Sequence, residues 1–183
     1  IRYVDINGDG VINTSDRTEI GSPIAASTMG FNLQLDYKHF DFVAYTFASI
    51  GNEMVRNYER TLTDVNHLDY ILDRWTGEGT SNTVPRVTTS ATSNNVFSDY
   101  FVEDASFVRI QNVQLGYSID PKYFEKAGIS KFRVYLGANN LYTFTKYRGY
   151  DPAASNGAPI GGGIDYGFYP IPRTYLLGLN VNF

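Results

Sequence analysis

The chain has 183 residues, no cysteine and a net charge of −4 with a pI near 5.1, so disulfides, thiolate metal sites and cysteine nucleophiles are excluded together. Its 15 Lys and Arg residues are scattered rather than clustered, which leaves no electrostatic footprint for nucleic acid. The length suffices for one ordinary domain, and no apolar run approaches the roughly 18 residues of a membrane helix; a membrane strand stays open, because only every second residue of it meets lipid.

The chain begins at Ile1 in mid-pattern, with neither an initiator Met nor a signal sequence, and reads as a piece of a longer protein. The stretch "DINGDGVINTSD", Asp5 to Asp16, has the spacing of a calcium loop. Asp5, Asn7 and Asp9 fall at positions 1, 3 and 5, and Gly10 stands where a sharp turn requires positive φ. Val11 offers its carbonyl, Asn13 acts directly or through water, and Asp16 closes the loop. Oxygen-only donors fit a hard cation, so Ca²⁺ in a structural role is the expectation. Asp16 in place of a bidentate Glu makes the loop of dockerin type. The competing reading is an Asn, Asp and Gly-rich turn without metal.

"MGFNLQLDYK" sets Met29, Phe31, Leu33, Leu35 and Tyr37 against Asn32, Gln34, Asp36 and Lys38, a strand at period two. "FDFVAYTFASIG" (Phe40 to Gly51) follows after almost no turn, and apolar residues on both its faces leave its orientation open. In "HLDYILDRW", Leu68, Ile71, Leu72 and Trp75 recur at helical spacing, which predicts a short helix. "SFVRIQNVQLGYSI" (Ser106 to Ile119) alternates in two phases that switch near Gln111 and Asn112, as a bulge would produce. "KFRVYLGANNLYTF" sets Phe132, Val134, Leu136 and Ala138 against Arg133, Tyr135, Gly137 and Asn139. The closing "RTYLLGLNVNF" aligns Tyr175, Leu177, Leu179, Val181 and Phe183. That makes five strands in an all-β, antiparallel fold, joined by alternately short and long connections.

No catalytic constellation emerges. His39 and His67 are the only histidines and join no Ser, His and Asp order and no metal-ligand spacing, so they read as a turn and a loop residue. Asp69 with Asp73, and Glu103 with Asp104, read as solvated loop charges. "GAPIGGGID" (Gly157 to Asp165) lacks the Lys and Ser or Thr of a phosphate loop and reads as a mobile outer loop. Trp75, Tyr147, Tyr150, Tyr166 and Tyr169 could stack on sugar rings, but loop packing or an aromatic girdle is the preferred reading for each. The chain is not expected to be an enzyme.

Four blocks, "LDRWTGEGTSNTVPRV", "FVEDASFVRIQNVQLGYSI", "RVYLGANNLYTFTKYRGYDP" and "IDYGFYPIPRTYLLGLNVNF", together with the opening "YVDINGDGVINTSDRTEIGSP", resemble the C-terminal part of SusC-like (RagA-like) TonB-dependent outer-membrane transporters. The resemblance implies that residues 1–183 belong to one barrel of about 22 strands closed around a plug. Residues 1–26 would be an extracellular loop, and residues 27–183 barrel strands with long external loops. It also implies a multi-pass protein of a Gram-negative outer membrane that imports oligosaccharides, peptides or other large nutrients. Its partners would be the remainder of the same transporter, a SusD-like surface lipoprotein, TonB with ExbB and ExbD, and outer-membrane lipid. The pattern ending in Phe183 (Tyr175, Leu177, Leu179, Val181, Phe183) resembles a barrel assembly signal. The alternative is a soluble extracellular β-sandwich that binds glycan, braced by calcium, which would bury Tyr175, Leu177 and Leu179.

Overall fold

The computed structural model describes residues 1–58, 67–88, 92–154 and 161–183. Eight strands occur in it: β1 (Ser27–Tyr37), β2 (Phe40–Ile50), β3 (Glu53–Arg56), β4 (Val102–Asp104), β5 (Phe107–Ile119), β6 (Lys131–Thr145), β7 (Ile164–Asp165) and β8 (Thr174–Asn182). Five of them form one antiparallel sheet in the order β1-β2-β5-β6-β8. The expected five strands are therefore present, and three short ones within the long connections form a second sheet, β4-β3-β7.

Register decides which residues share a face, because directly opposed residues project to the same side. Met29 pairs with Ala48, Leu33 with Ala44, Leu35 with Phe42 and Tyr37 with Phe40. Phe40, Phe42 and Ala44 in turn oppose Tyr117, Leu115 and Val113. Tyr117, Leu115 and Val113 oppose Val134, Leu136 and Ala138, and those three oppose Leu179, Leu177 and Tyr175. One continuous apolar face therefore runs across all five strands. β2, ambiguous in sequence, places Phe40, Phe42, Ala44 and Ala48 on it and Asp41, Val43, Tyr45 and Phe47 on the other.

The two phases of β5 belong to this same face. Tyr45 opposes Asn112 while the next residue, Thr46, opposes Ile110, so Gln111 is the extra residue of a bulge. Val108 and Ile110 thereby return to the side of Val113. β6 answers with its own irregularity: Asn112 opposes Asn139 but Ile110 opposes Tyr142, and Asn140 adopts φ 51. Asparagine tolerates the left-handed region better than most residues.

The opposite face is largely polar, apart from Val43, Tyr45 and Phe47 of β2, and carries a bridge across three strands. Arg133 Nε donates to Asp41 Oδ1 at 2.8 Å, and its Nη2 reaches Asp41 Oδ2. Gly116 lies between them, where a Cβ would collide with both partners. Gly178, opposite Tyr135, likewise leaves room for that tyrosine's ring. These are glycines chosen for close approach within strands.

Short and long connections lie at opposite ends. At the turn end, Lys38 and His39 join β1 to β2, and residues 120–130 join β5 to β6, with Ser130 N donating to Asn182 O at 2.8 Å. At the loop end lie residues 1–26 and the two long connections. The helix expected over His67–Trp75 is a 3-10 segment, Asp69–Asp73. Its apolar residues are too few to sustain an α-helix without a partner face.

Candidate functional site at the loop end

The loop end is a folded rim built on β3. Strand β3 pairs antiparallel with β4 and parallel with β7, Val55 opposing Ile164 and Arg56 opposing Asp165. Met54, Ala105, Tyr147 and Ala154 form a small core, with Phe168 packed on it. The rim is stitched to the sheet through Asn52, whose carbonyl accepts from Ala105 N at 2.9 Å and whose amide donates to Ala105 O at 3.1 Å. Residues ahead of β1 join in: Ser22 N donates to Glu53 Oε2 at 2.9 Å, and Glu53 N to Ser22 O at 2.8 Å.

Buried charge organises the rest. Arg109, on the polar face of β5, is 3% exposed, and its Nη2 donates to Asp151 Oδ1 at 2.5 Å. Asp151 also accepts from Ala153 N at 2.9 Å and Ile171 N at 3.1 Å. Arg56 and Asp165 are each 1% exposed. The Tyr147 hydroxyl donates to Asp165 Oδ2 at 2.7 Å, and the amides of Gly167 and Phe168 donate to Oδ1. Burial, and then the Asp165 carboxylate itself, push the Tyr147 phenol far above its ordinary value, so it remains a donor. Glu103 bridges Arg56 at 3.2 Å and Arg148 at 2.7 Å.

These contacts correct two expectations. Glu103 is not a solvated loop charge, because two guanidiniums enclose it. Asp104 beside it is exposed, with the hydroxyl and amide of Ser106 holding its carboxyl below the usual range. The Gly-rich segment is not loose where it is described: Gly163 O accepts from Val55 N at 2.7 Å, and Ile164–Asp165 is strand β7. Residues 157–160 of that segment lie outside the described residues. Tyr147 is buried, as loop packing requires, whereas Tyr150, Tyr166 and Tyr169 are exposed and Trp75 is half-exposed. His39 sits in the β1–β2 turn against Tyr117, at a ring separation of 5.9 Å. His67 lies just ahead of the 3-10 segment that carries Asp69 and Asp73.

The loop at residues 5–16 is a turn laced by its own side chains. Asp5 accepts from Gly8 N and Gly10 N, both at 2.7 Å, and Gly10 has φ 81. Asp9 accepts from Val11 N at 2.8 Å and from the Asn7 side chain at 3.0 Å. Asn13 caps the Thr14–Asp16 turn, and its side chain also donates to Val11 O at 3.2 Å. Amides of Asn13 and Ile6 hold the Asp16 carboxyl below its ordinary value. Among the described residues no three His, Asp or Glu side chains converge as a metal cluster. The loop fits a hard cation in donor type, while Asp5, Asn7, Asp9 and Asp16 all accept from amides of the loop itself.

Tyr175, Leu177 and Leu179 are 68%, 74% and 64% exposed. Val181, opposite Phe132, lies on the same face of β8, and Phe183 follows the strand, exposed. A sandwich would bury these residues, and among the described residues no second layer covers them. The strands are 9 to 15 residues long, and about 9 to 11 span a bilayer. Apolar outside, polar inside and capped by a folded rim, the sheet is the wall of a membrane β-barrel.

No protein-family model matches the chain. It is 36% identical to the TonB-dependent receptor P3 of Formosa agariphila, over 99% of this chain and 19% of that protein. It is 31% identical to the TonB-dependent receptor SusC of Bacteroides thetaiotaomicron, over 99% of this chain and 17% of SusC. Superposition on the RagAB peptide importer in its open-open state gives a TM-score of 0.75 at 29% identity, over 99% of this chain and 20% of that one. Over its whole length the chain is thus similar to TonB-dependent receptors, SusC among them, and it spans about a fifth of the length of the relatives it matches.

Proposed function

We propose that this chain supplies the C-terminal wall strands, the external rim and the assembly signal of an outer-membrane transporter that imports large nutrients. Oligosaccharides or peptides would enter under a SusD-like lipoprotein lid, driven by TonB with ExbB and ExbD, and pass to the periplasm without chemical change. The observation that carries this reading is the two-faced sheet. An apolar face continuous over five strands belongs against lipid, and the Asp41–Arg133 bridge belongs inside. Free edges at β1 and β8 need the remaining strands of the barrel to pair them.

In this reading the loop end, with residues 1–26, faces the medium. The 5–16 turn is a structural Ca²⁺ site held by Asp5, Asn7, Asp9, Asn13 and Asp16 with the carbonyl of Val11. Extracellular calcium suffices for sites with dissociation constants of about 10⁻⁴ to 10⁻³ M. The test is membrane fractionation of the source cells, detergent extraction, and mass spectrometry of what co-purifies. Recovery in the outer membrane with a lipoprotein is expected; recovery alone in the soluble fraction refutes the proposal. Calorimetric calcium titration of the extracted protein, wild type against Asp5→Asn, tests the metal separately.

A further inference from the structure

The opening turn holds a reactive pair that neither the wall nor the rim uses. Asn7 and Gly8 are both exposed. Gly8 has φ 75, and nothing beyond its chain neighbours lies within 4 Å of where a Cβ would stand. With no side chain to shield it, the Gly8 amide nitrogen is the least hindered nucleophile that can follow an asparagine. Attack on the Asn7 side-chain carbon closes a cyclic imide, and a reaction between neighbours in one chain has the advantage of proximity.

The hydrogen bonds of the turn bear on each atom of that step. Asp5 Oδ1 accepts from Gly8 N at 2.7 Å, so a carboxylate already lies on the proton that must leave the nucleophile. Asp9 N donates to Asn7 Oδ1 at 3.0 Å, where it draws electron density from the carbon under attack and meets the oxyanion as it forms. Asn7 Nδ2 donates to Asp9 Oδ2 at 3.0 Å, which fixes which side-chain atom is the oxygen and which the nitrogen. Asn13 supplies a comparison within the same turn. Its Oδ1 likewise accepts from the amide two residues on, Ser15 N at 2.7 Å. The residue after it, however, is the β-branched Thr14, and the nearby Asp16 carboxylate is taken up by the amides of Ile6 and Asn13.

We propose that Asn7 is a self-modification site, at which the folded turn converts the side-chain amide to aspartate or to the isomeric β-linked isoaspartate. The bond from Gly8 N to Asn7 Cγ forms as the Gly8 proton passes to Asp5. The bond from Cγ to Nδ2 then breaks, and with a proton returned through solvent the nitrogen leaves as ammonia. Water opens the imide at either carbonyl, so neither oxidant nor reductant is needed. The product sets a further negative charge among Asp5, Asp9 and Asp16, and the isoaspartyl form lengthens the backbone inside the turn.

The test uses the full-length protein, extracted in detergent and held in chelator so that the result does not depend on the calcium reading. It is incubated at neutral pH and sampled over days by peptide mass spectrometry with isoaspartate detection. Asn7 should convert, in part to isoaspartate, while Asn13 stays an amide. Asp5→Asn should slow the conversion roughly tenfold or more. Because that change also touches the fold of the turn, the wild type unfolded in guanidinium is the second comparison, and the folded protein should convert faster than the unfolded one. An intact Asn7, equal conversion in Asp5→Asn, or conversion no slower in the unfolded chain overturns the proposal.

Discussion

Removing the Asp151 carboxylate should release the last long loop from the barrel wall. Asp151 receives three donors, Arg109 Nη2, Ala153 N and Ile171 N, at 2.5, 2.9 and 3.1 Å. In Asp151→Ala the Arg109 cation stays buried without its partner, and breaking a buried pair this way costs about 3–5 kcal/mol. At about 1.4 kcal/mol per decade, local opening should rise by roughly two to three and a half decades. Between the amides held by Asp165 and the start of β8, a further tether is the bond from the Asn140 side chain to Pro172 O at 3.1 Å. Hydrogen exchange in peptides covering residues 166–173 should accelerate accordingly, with peptides from β6 and β8 unchanged. Asp151→Asn, which keeps one acceptor oxygen, should accelerate exchange far less. Unchanged exchange over residues 166–173 in Asp151→Ala would show that the pair does not hold the loop.

Other perturbations separate the two faces and the two ends. Leu177→Arg, at the middle of the apolar face of β8, should cost about 2–4 kcal/mol in the bilayer and reduce the heat-modifiable folded fraction, whereas Asn180→Arg on the polar face should not; equal loss from both would contradict the face assignment. Gly178→Val should displace the Tyr135 ring and lower thermal stability, and adding Tyr135→Ala should recover part of the loss; strict additivity of the two changes would rule out the contact. Because Asp16 is held below the ordinary carboxylate value near 3.9, its contribution to the 5–16 turn is present above that pH and lost as pH falls through the lowered value. Pulsed exchange at the Ile6 and Asn13 amides should follow that curve, and loss of protection already above pH ~4 would refute it. A Val55→Cys and Ile164→Cys disulfide across the β3–β7 register should leave uptake intact, and abolished uptake on oxidation would mean that the rim must open.

The strand pattern was legible because a two-sided sheet writes its faces into the sequence at period two. β8 and β1 displayed it without interruption. The phase switch of β5 correctly located a bulge at Gln111, yet the partner irregularity in β6 went unread, although the pair Asn139 and Asn140 is the signal such a site leaves. β2 was ambiguous because Val43, Tyr45 and Phe47 sit on the interior face, where loop and wall residues pack and strict polarity is not required. The rim was not legible. Arg109 and Asp151 are 42 residues apart, and Arg148 and Glu103 are 45 apart. Nothing local distinguishes a carboxylate that will be enclosed from one that will face water, as the neighbours Glu103 and Asp104 demonstrate. An arginine at interior parity near the end of an apolar strand was the available clue, since such a charge needs a partner once the face is covered.

That clue also explains why the long connections are folded at all. A structureless loop of such length is uncommon inside a compact unit, and a loop that folds without a large apolar core must satisfy its backbone and charges internally. Here the apolar core is a handful of residues around Met54 and Ala105, so the carboxylates take over the organising role. Asp151 and Asp165 each gather backbone amides of their own segment and one side chain from elsewhere, which fixes both the local turn and its position on the wall. Glu103 does the same between β3 and the exit of β6 through Arg56 and Arg148. Each carboxylate thus ties two segments of the rim to one another. A rim of that construction holds fixed chemistry at the loop end of the sheet.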